Sequence, residues 1–585
     1  MKRIIIALCL LVCACAVTAA SVSVTDFGAV SDKTADSSSA FQQAIDKCAA
    51  TGGGTVSVPA GCFCIKGNLE VKDGVILKGV YEAPPNKSPG SWRGVPEDMK
   101  GTVLLAYAGK NDPEGKPFIT LSGSNSGVHG LVIYYPEWLQ ETVPPIPYPP
   151  CIFGGGGGTN QSVVNCNLLN PYVGIKFVDS HRMHISGVQG YPIKTGISID
   201  QCYDICRIEN IHLWPFNVIY QADDPYCKWI NQNGTAFEFG RTDWQYCTNT
   251  FCFGYNAGYR FVDMGHGGCN GSFLCIGADC CVNSVSVEQI QPMGLAITNG
   301  EFVGRWTSND SCTVDIKPGA AGKVGLVNCT FWGPIDTCIR SRSESGVLSV
   351  TGCNFVSWNV NHDNAPAISV TEGKAVITGN TFGAEAVHVQ TGAKTKQALV
   401  CGNMSDSPFT VINKAPEARV TISGNVSERF VPDKGELVNY TLDFTGDVET
   451  QYINGFQTAE KRFGGMRWSG ENAKVDLPVL PDTEYTLYAY VYVPKWAISE
   501  TSGIYSGETL IIPVNQEGNK TLSGKVKTGK NQKTLRLDIK VKGWKPMDNM
   551  EGSTDYRTLG IGLMQLRLES KKGAGTFNFN TRKTN

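Results

Sequence analysis

The segments NCTF (328–331), GCNF (352–355), GNTF (379–382), GNMS (402–405) and GNVS (424–427) recur at steps of 24, 27, 23 and 22 residues. A repeat of about 20 to 50 residues indicates a solenoid or a propeller. Three short strands with turns fit into such a step, whereas a propeller blade needs four strands and about 40 residues. The repeat therefore predicts a parallel β-helix, in which each coil pairs its backbone with the next one, about 4.8 Å away.

A second repeat of similar period supports an all-β fold. Its members are GIKF (174–177), GISI (196–199), GYRF (258–261) and GLAI (294–297). In each member the second and fourth residues are apolar, so strand alternation turns them inward and the third residue outward. Short β-branched strands separated by glycine and asparagine continue through residues 21–428, with almost no helical periodicity. We therefore assign residues 21–428 to the parallel β-helix.

A capping helix is expected at the first coil, because an open strand edge and an exposed apolar core would aggregate. The segment 36–50 supplies it, since residues 37–39 are serines that suit a helix N-terminus. Four apolar residues then fall on one face at helical spacing: Phe41, Ala44, Ile45 and Cys48.

The same opening contains a distinctive motif. It reads VTDFGAV (24–30), then Asp36, AFQQAI (40–45) and GGGTVSVPAG (52–61). This motif resembles the opening of the pectate-lyase-like superfamily, which includes polygalacturonases, rhamnogalacturonases and phage tailspikes. The resemblance implies a right-handed parallel β-helix. It implies no single reaction, since the same scaffold carries hydrolases, lyases, epimerases and binding proteins.

The character of the sequence changes after residue 428. A connector with proline and lysine covers residues 429–436, and longer alternating strands follow, such as YTLYAYVYV (485–493). Strict alternation gives a strand one buried and one solvent face, so residues 437–585 are predicted to form a β-sandwich. The segment DYRTLGIGL (555–563) resembles the last strands of jelly-roll modules on bacterial carbohydrate proteins. Two roles stay open for this domain: it binds carbohydrate, or it caps and orients the solenoid.

The first twenty residues read as a secretory signal peptide. Lys2 and Arg3 precede an apolar core, and residues 18–20 form a small-residue cleavage region. No later stretch approaches the roughly 20 apolar residues of a transmembrane helix. We therefore expect a secreted protein, extracellular or periplasmic, without a membrane span. The formal charge of −2, with both signs interspersed, predicts no attraction to nucleic acid.

The cysteines are expected to be buried thiols. The chain has 22 of them, and removal of the three in residues 1–20 leaves 19, an odd number that cannot all pair. Many lie inside apolar strand patterns, as Cys329 and Cys353 do, which fits small buried side chains better than a disulfide framework. Neighbours such as Cys202 and Cys206 lack the full two-pair spacing of a zinc site. We expect neither a metal site nor a cofactor.

Carboxylates on the outer face of the β-helix are the first candidates for catalysis, since sugar hydrolysis uses two carboxyl groups. Phe237 and Phe239 are expected inside, which turns Glu238 outward, and the same alternation places Asp200 outward at the equivalent position of the neighbouring coil. Equivalent positions lie about 5 Å apart on successive coils and about 10 Å apart two coils away, which brackets the carboxyl separations of retaining and inverting glycosidases. The predicted catalytic residues are Glu238, Asp200, Asp263, Asp243 and His266.

An interruption of the repeat at residues 214–234 is rich in aromatic residues. Aromatic side chains on a loop above a polar face suit stacking on sugar rings. Arg260 is expected on the outer face, where it suits an acidic sugar or a pair of hydroxyls. The predicted substrate-binding residues are Arg260, Lys176, Asp223, Asp224, Trp214, Tyr226 and Trp229.

The order of Asp200, the pair Asp223-Asp224 and the segment 265–267 (GHG) is similar to the polygalacturonase branch of the superfamily. That branch has Asn-x-Asp, Asp-Asp, Gly-His-Gly and Arg-x-Lys segments in this order, and the first and last are missing here. The resemblance implies that these carboxylates and the histidine are catalytic, and it leaves pectin open as the substrate.

Each candidate also has a structural interpretation. Asp200 and Asp263 at strand ends suit turn capping, in which a carboxylate bonds backbone amides. Asp243 suits an ion pair with Arg241 in a solvated loop. His266 between two glycines suits a left-handed turn. Glu238, flanked by two phenylalanines, is the hardest of these residues to explain as an ordinary surface residue.

The leading hypothesis is a secreted glycoside hydrolase that cleaves a polysaccharide, with Glu238 and either Asp200 or Asp263 as the acid and its partner. The runner-up is a polysaccharide lyase acting on a uronic acid polymer. It needs a base such as Lys176, Arg260 or His266, and calcium held by the aspartates is possible in that case alone. A non-catalytic glycan-binding protein is the third hypothesis.

Overall fold

The computed structural model of the protein describes residues 20–80, 101–407, 409–427, 439–445, 453–457, 459–460, 465–553, 555, 557–571, 576–578 and 583–584. The chain divides into two compact units, residues 1–405 with 409–426, and residues 406–408 with 427–585. The predicted signal peptide, except for Ala20, and the predicted linker at 429–436 lie outside the described residues. The predicted domain boundaries and the secretion of the protein therefore stay predictions.

The first unit is a parallel β-solenoid of about 14 turns. Each coil contributes to three parallel ladders of strands, which we call the first, second and third ladder. The prediction of an all-β parallel β-helix is confirmed.

The first ladder consists of Leu69–Val71, Ile119–Leu121, Pro150–Thr159, Val173–His181, Thr195–Asp200, Thr235–Phe239, Ala257–Phe261, Asn283–Val287, Val314–Ile316, Ile339–Ser341, Ile368–Thr378, Val389–Cys401 and Val411–Asn413. The second consists of Ala20–Ser23, Gly54–Ser57, Val75–Lys78, Gly127–His129, Ser162–Val164, His184–Ser186, Arg207–Leu213, Thr242–Phe253, Cys269–Cys281, Ile290–Thr298, Lys323–Val327, Val347–Thr351 and Val420–Ser423, together with the far ends of Ile368–Thr378 and Val389–Cys401. The third consists of Asp32–Asp36, Gly61–Ile65, Thr102–Ala106, Val132–Tyr134, Asn167–Leu169, Gln189–Gly190, Glu301–Gly304, Thr330–Trp332, Asn354–Phe355, Thr381–Phe382, Met404–Ser405 and Val426–Ser427, together with the far ends of the strands that start at residues 207, 242 and 269.

The motif that starts with NCTF (328–331) marks the turn between the second and third ladders. Its first residue lies at positive φ, as Asn328 does at 54° and the glycine at 352 does at 66°, so asparagine or glycine is needed there. Its second residue points inward, and in the later coils buried asparagines bond one another, with Asn380 Nδ2 donating to Asn403 Oδ1 at 2.9 Å. Its fourth residue points inward too, and Phe331 and Phe355 stack at 4.9 Å. The repeat thus reflects one turn and two interior stacks.

The prediction that the four segments of the second repeat stack on one ladder is correct for three of them. Ile175, Ile197 and Tyr259 stack inward along the first ladder, where Phe237 lies between the last two. The fourth member is wrong, because Leu295 pairs with Gly271 on the second ladder. Strands on either ladder alternate alike, so the pattern does not tell the ladders apart.

The capping helix is present as Ser38–Ala50, and its four predicted apolar residues are fully buried. Ser37 precedes the helix, but its hydroxyl bonds the backbone of Val30 instead of the first helical turn. Short 3-10 helices of this unit lie at Val24–Phe27 and Glu417–Arg419.

A second helix, Pro225–Asn233, occupies the segment that was expected to be an open aromatic loop. Asp224 caps it, since its Oδ1 accepts from the backbone amides of Tyr226 at 2.9 Å and Cys227 at 3.2 Å. An aspartate followed by proline at the first helical position is a recognised helix start, and this signal identifies the helix from sequence.

The second unit contains mostly antiparallel sheets around their own apolar core. Its strands are Asn439–Asp443, Ile453–Phe456, Arg467–Pro478, Glu484–Val493, Gly503–Ser506, Thr509–Pro513, Gly518–Lys527, Thr534–Lys540, Gly562–Glu569, Thr576–Asn578 and Lys583–Thr584, with short helical turns at Lys495–Ala497 and Pro546–Asn549. A C-terminal sheet region is therefore present, and its jelly-roll type stays a prediction.

All 19 cysteines from Cys48 to Cys401 are free thiols, and most are buried. No helix within the described ranges is long and apolar enough to cross a membrane.

Candidate active site on the first ladder

One row of outward side chains runs along the middle of the first ladder. Lys176 pairs in register with Ser198, which pairs with Glu238, which pairs with Arg260, and Ser286 follows. The neighbouring inward positions are buried, with Phe237 and Phe239 almost fully inaccessible. The predicted outward positions of Glu238, Arg260 and Lys176 are therefore confirmed.

The predicted pairing of Asp200 with Glu238 is wrong. Glu238 lies opposite Ser198, and Asp200 lies two residues further along that strand, opposite Val178. From a coil spacing of about 4.8 Å and a rise of about 3.3 Å per residue, the Cα atoms of the two acids are about 8 Å apart. The error arises because turn lengths between coils vary, so that alternation within strands does not fix the register between them.

Glu238 is held by its neighbours in the row. Arg260 donates to its Oε1 at 2.8 Å, and the Ser198 hydroxyl donates to its Oε2 at 3.1 Å. Its side chain is 18% exposed. Both carboxylate oxygens are therefore engaged by neighbouring side chains of the row.

Arg260 binds a second acid, Glu288, through two bonds of 2.8 and 3.0 Å. Glu288 raises the pKa of Arg260. Burial acts to raise the pKa of Glu288, but the Arg260 guanidinium outweighs it and the pKa is lowered. Arg260 is thus a fixed cation between two carboxylates.

His266 and Asp200 form a close pair at the end of the same strands. His266 Nδ1 lies 2.8 Å from Asp200 Oδ2, and the other Asp200 oxygen accepts from the backbone amide of Arg241 at 2.8 Å. The Asp200 side chain is 6% exposed, whereas that of His266 is 46% exposed. A carboxylate accepts only, so Nδ1 carries the hydrogen and the neutral ring keeps a lone pair on Nε2, which faces the Gln201 amide at 3.0 Å.

Asp263 shapes the turn that presents His266. Its Oδ1 accepts from the backbone amides of Gly265 at 2.7 Å and Gly267 at 2.8 Å, and these bonds lower the pKa of Asp263. Both glycines lie at φ near 100°, a conformation that favours glycine. The predicted catalytic Asp263 is therefore placed as the capping residue of the histidine turn.

Asp243 is likewise engaged in local contacts. It lies 3.2 Å from the Arg241 guanidinium and accepts from Gln291 Nε2 at 2.9 Å. This is the ion pair given above as its structural interpretation.

The aromatic segment does not form the expected stacking platform. Tyr226 is fully buried, and its hydroxyl accepts from Trp138 Nε1 at 2.8 Å, so its ring is closed to a sugar. Trp229 packs against the interior beside Tyr172, and Trp214 contacts Phe253, which continues the third ladder.

The two acids of that segment, Asp223 and Asp224, contact the helix Pro225–Asn233. Asp224 is the N-cap described above, and Asp223 is exposed 3.3 Å from Lys228. The predicted reach of this pair into the groove is therefore wrong for Asp224, whose Oδ1 holds the helix start. A loop composition alone does not reveal which aromatic rings are buried by partners elsewhere in the chain.

The structure adds to the site three residues that the sequence analysis did not select as candidates: Glu288, Gln201 and Arg241. Glu288 follows the buried pair Val285 and Val287, so the alternation that identified Glu238 also predicts Glu288 to face outward. Gln201 and Arg241 lie in turns, where alternation gives no direction.

The site can transfer a proton through His266. Its side chain is half-exposed and the Gln201 amide contacts its Nε2, and Asp200 stabilises the imidazolium that protonation creates. Cations from the same face can neutralise an anionic sugar. No group of three or more metal-ligating side chains is found among the described residues.

Comparisons with known proteins concern mainly the start of the chain and the fold. Residues 21–90 match the family model described as "Rhamnogalacturonase A/epimerase, pectate lyase-like". Mannuronan C5-epimerase AlgE5 of Azotobacter vinelandii is 35% identical over 127 residues, which are 21% of this chain and 12% of that protein. Alginate lyase 7 of the same organism is 31% identical over 115 residues, which are 19% of this chain and 13% of that protein.

Among solved structures, the A-module of mannuronan C-5 epimerase AlgE6 of Azotobacter vinelandii aligns with a TM-score of 0.34 and 16% identity, covering 70% of this chain and 99% of that one. The sequence matches span 12% and 13% of the two relatives' lengths. The match of residues 21–90 agrees with the resemblance to the pectate-lyase-like superfamily that the opening motif predicts.

Proposed function

We propose that this protein is a carbohydrate-active enzyme that removes the proton next to the carboxylate of a uronic acid polymer, with His266 as the base. The observation that carries the proposal is the 2.8 Å contact between His266 Nδ1 and the buried Asp200 carboxylate. That contact places the ring hydrogen on Nδ1 and leaves Nε2 with a lone pair, which accepts from the Gln201 amide here and would accept the substrate proton once a sugar displaces that amide.

The C5–H bond breaks, its proton goes to His266 Nε2, and its electron pair spreads into the adjacent sugar carboxylate. In a lyase reaction this electron pair then forms the C4–C5 double bond, and the expelled C4 oxygen takes a proton from His266 or from water. In an epimerisation, water instead delivers a proton to the opposite face of C5, and His266 gives up its proton to the solvent. Both outcomes need cations at the sugar carboxylate to stabilise the developing charge.

Basic residues near His266 support an acidic substrate. The side chain of Arg241 passes beside the histidine turn, since a methyl group on Gly267 would lie 3.6 Å from its Cδ. Lys176 is exposed in the outward row of the first ladder. The names of the two relatives, which refer to mannuronan and alginate, also point to polymers of uronic acids.

Glycoside hydrolysis is the second candidate function. It is favoured by the presence of two acids, Glu238 and Asp200, on neighbouring coils of the same ladder, with Cα atoms about 8 Å apart. It needs one protonated carboxyl group as the acid. The Asp200 side chain is 6% exposed and both of its oxygens are engaged, one by His266 and one by the Arg241 amide, so the proton-abstraction mechanism fits the site better.

Product analysis on polymannuronate, polygalacturonate and neutral xylan tests the proposal. A lyase yields ultraviolet-absorbing unsaturated ends, an epimerase changes the sugar composition without chain cleavage, and a hydrolase yields reducing ends without ultraviolet absorbance. Reducing ends alone, or binding without any product, would contradict the proposal.

The Glu238→Gln variant separates the two candidate mechanisms. Under proton abstraction we expect a roughly tenfold loss, because Glu238 only positions Arg260 and a charged hydrogen bond contributes about 1.5–3 kcal/mol. Under hydrolysis the same variant abolishes turnover.

The signal-like residues 1–20 support the further proposal that the enzyme is exported.

A further inference from the structure

The strand Glu484–Val493 in the second unit carries three tyrosines on its outer face. Its inward residues, among them Leu487, Ala489 and Val491, are fully buried. Tyr488, Tyr490 and Tyr492 alternate with these and are half-buried, and the Tyr492 ring also contacts Trp468 edge-on at 5.9 Å. We call these three residues the tyrosine face.

Uncharged polar residues border the tyrosine face on one side. In the strand Gly518–Lys527, Ser523 lies opposite Tyr488 and Thr521 opposite Tyr490. Both are exposed. On the other side, the strand Gly562–Glu569 places Gln565 opposite Tyr490. Hydroxyl and amide groups thus stand beside the aromatic rings.

Arg567 fixes two of the rings. Its guanidinium carbon lies 5.7 Å from the centre of the Tyr488 ring and 5.9 Å from that of Tyr490, and it donates to the Tyr490 hydroxyl at 3.0 Å. Glu569 pairs with the same guanidinium. The charge of Arg567 is therefore balanced within the face, and the rings are held in place before any ligand arrives.

The outer surface of the other sheet in this unit has a different chemistry. There the strands Arg467–Pro478 and Thr534–Lys540 pair Lys474 with Asp538 and Asp476 with Arg536. Charged pairs are the ordinary way to keep a sheet surface soluble. A row of tyrosines among hydroxyls and amides instead has the composition of a surface that recognises sugars, since tyrosine offers an apolar ring and a hydrogen-bonding tip.

We propose that the tyrosine face is a non-catalytic binding site for a polysaccharide chain, held by stacking on the tyrosine rings and by hydrogen bonds from residues such as Thr521 and Gln565. From Tyr488 to Tyr492 the strand rises about 13 Å, enough for a short run of pyranose units. Because the charges of the face are balanced, binding depends on ring contact and is insensitive to salt. This site is independent of the proton-abstraction site on the solenoid.

Native gels of the full-length protein that contain alginate, polygalacturonate, xylan or mixed-linkage β-glucan test this proposal. We expect at least one polymer to retard the protein, at low and at high salt. The double variant Tyr488→Ala, Tyr490→Ala should lower the affinity about tenfold for each ring removed. Thr521→Arg provides a second route, because an arginine at this exposed position covers the Tyr490 ring without removing any packed side chain.

Two controls make the result specific. Tyr505→Ala removes another half-buried tyrosine of the same unit, which has the Lys540 ammonium 5.1 Å above its ring but lies on the other sheet, and it should leave retardation unchanged. His266→Gln should also leave it unchanged, so that loss of activity and loss of binding are told apart. The proposal is overturned if no polymer retards the protein, if high salt abolishes retardation, or if Thr521→Arg and the double variant both bind like Tyr505→Ala.

Discussion

Two histidines of the solenoid make nearly the same contact in different surroundings. His266 lies 2.8 Å from Asp200 on the first ladder, and His184 lies 2.9 Å from Glu209 on the second. The two rings are similarly exposed, at 46% and 40%, but Asp200 is 6% exposed and Glu209 is 40% exposed.

The burial of the acid distinguishes the proposed catalytic pair, His266 with Asp200, from the surface pair, His184 with Glu209. Water and salt screen the interaction of His184 with Glu209, so its contribution is small. Asp200 is shielded and also bound by the Arg241 amide, so it fixes one orientation of the His266 ring and one position of the ring hydrogen. A third histidine, His388, is buried, and its Nδ1 accepts from the backbone amide of Thr410 at 2.9 Å.

The largest effect is expected from His266→Gln. Loss of the base should reduce turnover of the active polymer by about 10²–10⁴-fold with little change in the thermal unfolding midpoint, because the side chain is half-exposed. Turnover per enzyme and thermal unfolding, measured on the same preparation, check this. A variant that keeps wild-type turnover removes His266 from the mechanism.

A smaller loss is expected from Asp200→Asn. The amide keeps the shape of the side chain but no longer stabilises the imidazolium, and a charge-assisted hydrogen bond contributes about 1.5–3 kcal/mol, so kcat should fall by roughly 10-fold to 100-fold. The pH profile of kcat should shift as well, since the histidine has lost its anionic partner. A fall in stability with an unchanged pH profile would mean that Asp200 serves only the fold.

His388 is expected to affect stability rather than activity. Burial lowers the pKa of His388 to about 4, whereas an unfolded histidine titrates near 6.5. Between these values the unfolded chain binds a proton that the folded chain does not, so stability falls as the pH drops from about 6.5 to about 4.

The variant His388→Gln should therefore lose stability at neutral pH but show a flatter pH dependence. The difference between the two proteins should shrink by about 3 kcal/mol between pH 7 and pH 4. Chemical unfolding of the protein at several pH values measures this difference, and parallel curves would show that folding does not lower the pKa of His388.

The smallest effect is expected from His184→Gln, the matched control for His266→Gln. An exposed ion pair contributes about 0–1 kcal/mol, so both turnover and stability should stay close to the wild-type values. An equal loss of activity in both variants would erase the distinction between buried and exposed acids.

The sequence predicts well whether a side chain within a strand points inward or outward. It predicts poorly the register between one strand and the next. Phe237 inward and Glu238 outward follow from alternation, which is a property of the strand itself. The alignment of Glu238 with Ser198 instead of Asp200 depends on the segment between the coils, which contains the helix Pro225–Asn233.

Burial of loop aromatics is equally hidden from the sequence. Tyr226 is closed to solvent because Trp138, 88 residues earlier in the chain, packs and bonds against it. The role of Asp263 was visible as an alternative, because an aspartate before Gly265 and Gly267 has backbone amides within reach. The choice between the two readings required the geometry of the turn.

The most direct test of the account uses a uronic acid polymer labelled with deuterium at C5. Proton abstraction by His266 predicts that the wild-type protein releases the label into water as product forms, and that His266→Gln releases it at least about 100-fold more slowly. Products that keep the C5 label, or release at the wild-type rate by the variant, would contradict it.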